Sequence, residues 1–211
     1  MANLMDILQS QLTDDVIGQL SKQIGGVEPS QTKAATSGIL TTLLGALTKN
    51  ASSTAGAEAL NNALERDHDG SVLDQLNDVI QGNPQVAQRN ARAVNGSGIL
   101  KHILGERQGG AVDMISKMSG LNQGQTGNLM SILAPIIMGT LGKQKKQGGL
   151  DLAGLISMLS GSMGQTKAQN ADNPLMGMIG KFLDADGDGS IIDDIGNIVG
   201  KGLLKNLFGR K

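Results

Sequence analysis

Three aspartates alternate with small residues toward the C-terminal end of the chain, in the run Asp184-Ala185-Asp186-Gly187-Asp188-Gly189-Ser190. D-x-D-x-D-G-x is the opening of an EF-hand-type calcium loop. Carboxylates at the first, third and fifth positions converge on a hard cation, the glycine permits a sharp turn, and the Ser190 carbonyl adds another oxygen. Ile191 follows as the apolar residue that anchors such a loop on a core. The departure is at the twelfth position, where Ile195 replaces the bidentate Glu; Asp193 or Asp194 would have to close a shortened shell. The expected metal site is therefore Asp184, Asp186, Asp188, Ser190, Asp193 and Asp194. The expected cofactor is calcium, held weakly, on the order of 10⁻⁴–10⁻³ M.

A related run stands earlier, Glu65-Arg66-Asp67-His68-Asp69-Gly70-Ser71-Val72-Leu73-Asp74, with Glu65 in place of the first Asp and His68 at the fourth position. Both runs have a second reading. Ser71-Val72-Leu73-Asp74 and Ser190-Ile191-Ile192-Asp193 resemble capping boxes with Asp in place of Glu, and Asp and Gly are ordinary turn residues. A cap does not need three alternating carboxylates before it, whose mutual repulsion calls for a counter-charge.

Other chemistry is sparse, and the expectation is that the protein is not an enzyme. Ser30-Gln31-Thr32-Lys33 matches S-x-x-K but lacks its companion elements. No G-x-S-x-G, phosphate-loop or H-E-x-x-H pattern is present. The two histidines, His68 and His102, lie 34 residues apart, and His102 reads as a helix-face residue near a C-terminus. The chain has no Cys, Trp or Tyr and only two Phe. That excludes disulfides and thiolate zinc sites. With a formal charge of −1, neither the field nor the stacking platforms of a nucleic-acid binder are present. No small-molecule substrate is identified from the motifs.

These residues are positioned by helices. Val16, Ile17, Leu20 and Ile24 follow Thr13 as N-cap, and Pro29 opens a second apolar run that closes at Lys49. Helical spacing also predicts elements near 55–65, 71–81, 84–94, 97–104, 110–119, 125–142, 150–160, 174–183 and 190–208. Sustained alternation with β-branched and aromatic residues is absent, so the fold class is all-α, a multi-helix bundle. Glycine is abundant, 31 of 211 residues, roughly twice the usual share of about 7%. Gly25-Gly26, Gly82 and Gly105 read as helix ends. Gly45, Gly139, Gly196 and Gly200 sit inside helical patterns, where close backbone approach accounts for them. The run Lys143, Lys145 and Lys146 reads as a solvated last turn.

The chain also repeats itself. Gln31-Thr32…Leu43-Leu44-Gly45-Ala46-Leu47-Thr48-Lys49 recurs as Gln125-Thr126…Ile137-Met138-Gly139-Thr140-Leu141-Gly142-Lys143, an offset of 94, whereas the acidic runs repeat at 119. The difference, 119 − 94 = 25 residues, places an insertion with its own helix near 150–160. Two related helical halves are expected: 1–95 with the acidic loop 65–74, and 96–211 with the inserted helix and the acidic loop 184–194.

Gly98-Ile99-Leu100-Lys101-His102-Ile103-Leu104-Gly105, Ala134-Pro135-Ile136-Ile137-Met138-Gly139 and the two Asp-Gly-Ser loops together resemble a YidB-like bacterial family of unknown function, from about residue 4 to about 195. The resemblance implies a compact helical bacterial protein without an established activity, so it carries over no functional residue. The N-terminus lacks a basic region and carries Asp6 in its apolar stretch, unlike a secretory signal peptide. Synthesis in the cytoplasm is expected, with export by an unconventional route left open. The expected role is structural or protein-interacting, with a protein partner or self-association. The alternative is a membrane-acting or delivered effector whose Gly-rich apolar helices insert or assemble. The terminal helix, with Lys201, Lys205, Arg210 and Lys211, is the segment for such a membrane contact.

Overall fold

The computed structural model describes residues 4–169 and 174–183, and among these no strand occurs. The helices are α1 (Leu4–Gln11), α2 (Asp14–Gln23), α3 (Pro29–Ala51), α4 (Thr54–Arg66), α5 (Leu76–Gln81), α6 (Pro84–Arg89), α7 (Gly96–Leu104), α8 (Gln108–Ser119), α9 (Gln123–Gly148), α10 (Leu152–Gln169) and α11 (Pro174–Leu183). Short 3₁₀ turns at Ser71–Gln75 and Gly105–Arg107 precede α5 and α8. The all-α class is as the sequence predicts.

Two long helices organise the rest. On α3 nearly every residue from Ile39 to Thr48 is buried, and on α9 the run Leu133 to Gly142 is buried throughout. A helix buried on all sides belongs at the centre of a bundle. Both do: α3 packs on α9, and between them they touch α1, α2, α4, α7, α8, α10 and α11. One continuous core runs from Leu4 to Ile179. Some polar atoms within it are answered locally, Thr48 donating to the Leu44 carbonyl at 2.7 Å and Thr140 to the Ile136 carbonyl at 2.8 Å, while the Thr36 and Thr42 hydroxyls have no partner.

Capping fixes where the chain turns. The Thr13 hydroxyl accepts the Val16 N–H at 3.4 Å, as its spacing predicts. At α9 the Asn122 side chain accepts the Gln125 N–H at 2.8 Å while the Gln125 side chain accepts the Asn122 N–H at 3.0 Å. Gly82 and Gly120 end α5 and α8 in the left-handed region, with φ of 67° and 75°. Pro135 stands inside α9 and cannot bond the Ser131 carbonyl. The start of α7 rests there: a Cβ on Gly96 would lie 2.6 Å from the Ser131 carbonyl carbon.

The repeated segments 31–49 and 125–143 lie within α3 and α9, each packed against the shorter helix before it, α2 and α8. Gln31 donates to the Gly120 carbonyl at 3.4 Å. Its counterpart Gln125 places its amide nitrogen 3.7 Å from the Cβ position of Gly25.

Several boundaries differ from expectation. α1 was not predicted. The single helix expected over 71–81 is a 3₁₀ turn followed by α5, α6 stops at Arg89 rather than near 94, and α10 runs on to Gln169 rather than near 160.

Candidate functional site

The first acidic loop leaves α4 at Arg66, where the N–H groups of Asp67 and His68 both bond the Ala63 carbonyl, at 3.0 and 3.1 Å. Asp69 accepts the Ser71 N–H at 3.0 Å and Gly70 follows with φ of 98°, which turns the chain into the 3₁₀ segment. The capping box expected at Ser71 does not form. No side chain caps the 3₁₀ turn, and the carboxylate that accepts a backbone N–H is Asp69, two residues earlier.

The three alternating carboxylates do not converge. Glu65 pairs with Lys145 at 2.7 Å, Asp67 with Arg92 at 3.7 Å, and Asp69 with Lys146 at 3.6 Å. The hydrogen bond and charge of Lys145 hold the Glu65 carboxyl below its ordinary value. The Ser71 backbone N–H does the same for Asp69, with Lys146 a smaller cause. A shared cation is thus replaced by three separate ones. Among the described residues, no three His, Asp or Glu side chains are grouped to hold a metal ion. Within the lysine run Lys145 is only 13% exposed, while Lys146 is solvated at 72%, as its position at a helix end predicts. Asp184, Asp186, Asp188, Ser190, Asp193 and Asp194, the expected calcium ligands, lie outside the described residues.

Two glycines of α9 bring this loop against the core. A Cβ on Gly139 would lie 2.5 Å from Cγ1 of Val72. A Cβ on Gly142 would overlap the His68 carbonyl oxygen and lie 2.8 Å from its carbon. At Gly139 the close neighbour is thus the Val72 side chain of the 3₁₀ turn rather than the backbone expected, and the backbone approach falls at Gly142. Gly196 and Gly200 lie outside the described residues.

What the loop positions is His68. Its side chain is part of the wall of a pocket of about 870 Å³, and so is that of His102. The two histidines of the chain thus line one pocket. The pocket lies between α4 and α7, which run antiparallel across it. Asn50, just before α4, donates to the carbonyl of Ile103 at the end of α7, at 2.9 Å. Asp67, just after α4, pairs with Arg92 ahead of α7. Leu47, Leu60, Ile99, Ile103 and Met138 form the floor. Among the described residues the lining holds the basic side chains of Lys49, Arg92 and Arg107 and the carboxylate of Asp67.

The walls begin alike. Ser53 caps α4 by accepting the Gly56 N–H at 3.1 Å, and Asn95 caps α7 by accepting the Gly98 N–H at 3.0 Å. Both glycines face the pocket, and a side chain on either would strike its own cap: Ser53 Oγ at 2.9 Å from a Cβ on Gly56, Asn95 Nδ2 at 2.7 Å from one on Gly98.

His68 is 6% exposed and its Nδ1 has no hydrogen-bond partner. Burial pushes its pKa below the ordinary imidazole value, and the neighbouring Asp67 opposes that only in part. A buried imidazole nitrogen without a partner costs free energy. His102 lies in the last turn of α7 and is exposed, as expected from its place in the sequence. Its part in a pocket was not.

A family described as a bacterial protein of unknown function, DUF937, matches residues 6–144, which is 139 of the 211 residues. The chain belongs to this family. The match takes in α1 to α8 apart from its first two residues, most of α9, and every residue of the pocket. It agrees with the bacterial family of unknown function expected from the sequence, while the YidB-like likeness rests on the residues quoted for it. No curated protein and no solved structure matches the chain.

Proposed function

We propose that this DUF937 protein acts by binding a small anionic ligand in the pocket between α4 and α7, without transforming it. The observation that carries this is the presence of His68, Arg92, His102 and Arg107 in the lining of one cavity. Its volume lies within the roughly 300–1,000 Å³ of small-molecule sites. Binding is favoured over catalysis because the hydroxyl and carboxylate that could serve a reaction are already engaged. Ser53 caps α4 and donates to the Asn50 carbonyl at 3.3 Å, and Asp67 pairs with Arg92. A small-molecule site is favoured over a protein-docking face because Met178, 46% exposed, is the only large apolar side chain on the surface among the described residues. No described helix is long and apolar enough to cross a membrane.

The test compares benzoate with uncharged benzamide by calorimetry and thermal melts, in the wild type and in Arg92→Gln/Arg107→Gln. Benzoate is expected to bind and raise the melting temperature, benzamide not, and the double variant to lose the difference. Equal binding of the two probes, or an undiminished response in the double variant, would overturn the proposal.

Two further points are proposed on narrower grounds. The D-x-D-x-D-G pattern at 184–189 supports a weak calcium site in the second acidic loop. The reciprocal contacts Gln31 to Gly120 and Gln125 to Gly25, with the matched helix pairs, support two halves descended from one unit.

A further inference from the structure

The pocket has ends of different character. His102 and Arg107 lie where the close of α3 and the start of α4 meet the end of α7, and among the described residues no carboxylate lines that end. Among the described residues Arg107 has no ion pair, and it is only partly exposed. The opposite end is closed by the Arg92–Asp67 pair and by His68. Between them the walls are aliphatic: Ala59, Leu60 and Ala63 from α4, Ile99 from α7, Met138 from α9. From Asn95 to Ile103 the stretch is about 12 Å long at ~1.5 Å per residue.

What the lining lacks narrows the ligand. It holds no Phe, so neither a nucleobase nor a sugar ring finds an aromatic face to stack on. One group of each of its two amides is engaged, Nδ2 of Asn50 on the Ile103 carbonyl and Oδ1 of Asn95 with the Gly98 N–H. A bare inorganic anion would engage one end and leave most of 870 Å³ to water against aliphatic walls.

We propose that the ligand is an anionic amphiphile, a carboxylate or phosphate group on one unbranched alkyl chain, with the anion at the Arg107 end and the chain lying between α4 and α7. This rests on the pocket being an anion site. The anion meets Arg107 and His102, and the chain covers Leu60, Ile99 and Met138. The far tip of the chain lies toward the His68 end, where the histidine is 6% exposed.

The experiment is a titration series of butanoate, hexanoate, octanoate, decanoate and decyl phosphate, with acetate, inorganic phosphate and decanol as comparisons. It is run on the wild type, on Arg107→Gln and on Ala59→Gln, whose new side chain grows from an exposed position of α4 into the apolar stretch. Affinity is expected to rise roughly fourfold per added methylene, the increment of one buried CH₂, until the stretch is filled. Ala59→Gln is expected to stop that rise at a shorter chain while leaving acetate and phosphate unchanged, and Arg107→Gln to weaken every anion alike. Acetate or phosphate binding as tightly as decanoate would refute the amphiphile and leave the anion site standing. Decanol binding as tightly as decanoate would refute the anion site and the amphiphile with it. No binding of any probe would refute both.

Discussion

Gly127 and Gly142 stand on the same helix, α9, and the same substitution at each is expected to act with opposite sign. In a helix interior Ala is favoured over Gly by up to about 1 kcal/mol. At Gly127, half-buried with nothing within 4 Å of a Cβ, that preference is unopposed, and Gly127→Ala should stabilise by about 0.5–1 kcal/mol. At Gly142 the Cβ would lie inside the His68 carbonyl oxygen and 2.8 Å from its carbon. Carbon atoms in contact sit about 3.5–4.0 Å apart, so the loop must withdraw by about 1 Å even judged by that carbon alone. Neither partner can rotate away, because the atoms struck are backbone. Forced movement of this kind costs about 1–3 kcal/mol and occasionally more, which exceeds the helix gain. The two variants should therefore differ by about 1–3 kcal/mol, and at about 2–4 °C per kcal/mol for a chain of this size their melting temperatures should separate by about 2–12 °C. Far-UV circular dichroism is the readout, since the chain has no Trp or Tyr. Because the displaced carbonyl belongs to His68, Gly142→Ala should also weaken octanoate binding, and Gly127→Ala should not. A Gly142→Ala protein that melts at or above the wild type, or two variants that shift together, would refute the steric account.

Stability should fall as the pH drops below about 6.5. The His68 pKa is lowered in the folded chain, so the unfolded chain takes up the proton first, and the loss continues down to the folded value. Urea midpoints between pH 8 and 5 measure it, and His68→Asn should flatten the profile. Asn50→Ala should cost about 1 kcal/mol, the net worth of its bond to the Ile103 carbonyl, read from the same denaturation curves. Calcium at 10 mM should stabilise the wild type by about 1.4–2.7 kcal/mol if it binds at 10⁻⁴–10⁻³ M. Calorimetry on Asp186→Asn/Asp188→Asn should then show no isotherm; a gain that persists in that variant would refute the site.

The helices were legible where one local rule sufficed. Thr13 caps α2, Pro29 opens α3, and Gly82 closes α5 as their residue types predict. The misses came from partners distant in sequence. α1 is too short for its period to show, and it is held by burial of Leu4, Met5 and Leu8. α9 runs six residues past the expected 142 to Gly148, where Lys145 and Lys146 meet Glu65 and Asp69. The pocket was less legible still. Periodicity tells which face of a helix is apolar and nothing about which faces meet, so His68 and His102 read as unrelated. The one local signal was the repeated opening of its two walls, Ser53 with Gly56 and Asn95 with Gly98, a cap followed three residues later by a glycine with no room for a side chain.

The two acidic loops, alike in sequence, differ at the positions that decide what an alternating row of carboxylates can do. Such a row needs counter-charge. In the first loop Lys145, Arg92 and Lys146 supply it one carboxylate at a time. The longer side chain at Glu65 reaches outward to Lys145, and His68 fills the fourth position with a buried ring. At the corresponding positions the second loop has the shorter Asp184 and the side-chain-free Gly187. Short carboxylates around a glycine can draw their oxygens toward one centre, which is what a hard cation requires. One loop thus carries the residue that makes a pocket wall, and the other keeps an oxygen-only pattern. Since each carboxylate of the first loop is paired with its own basic side chain, calcium and the anion should act on separate sites. Their stabilising effects should therefore add when both are present, and octanoate affinity should be the same with calcium as with chelator.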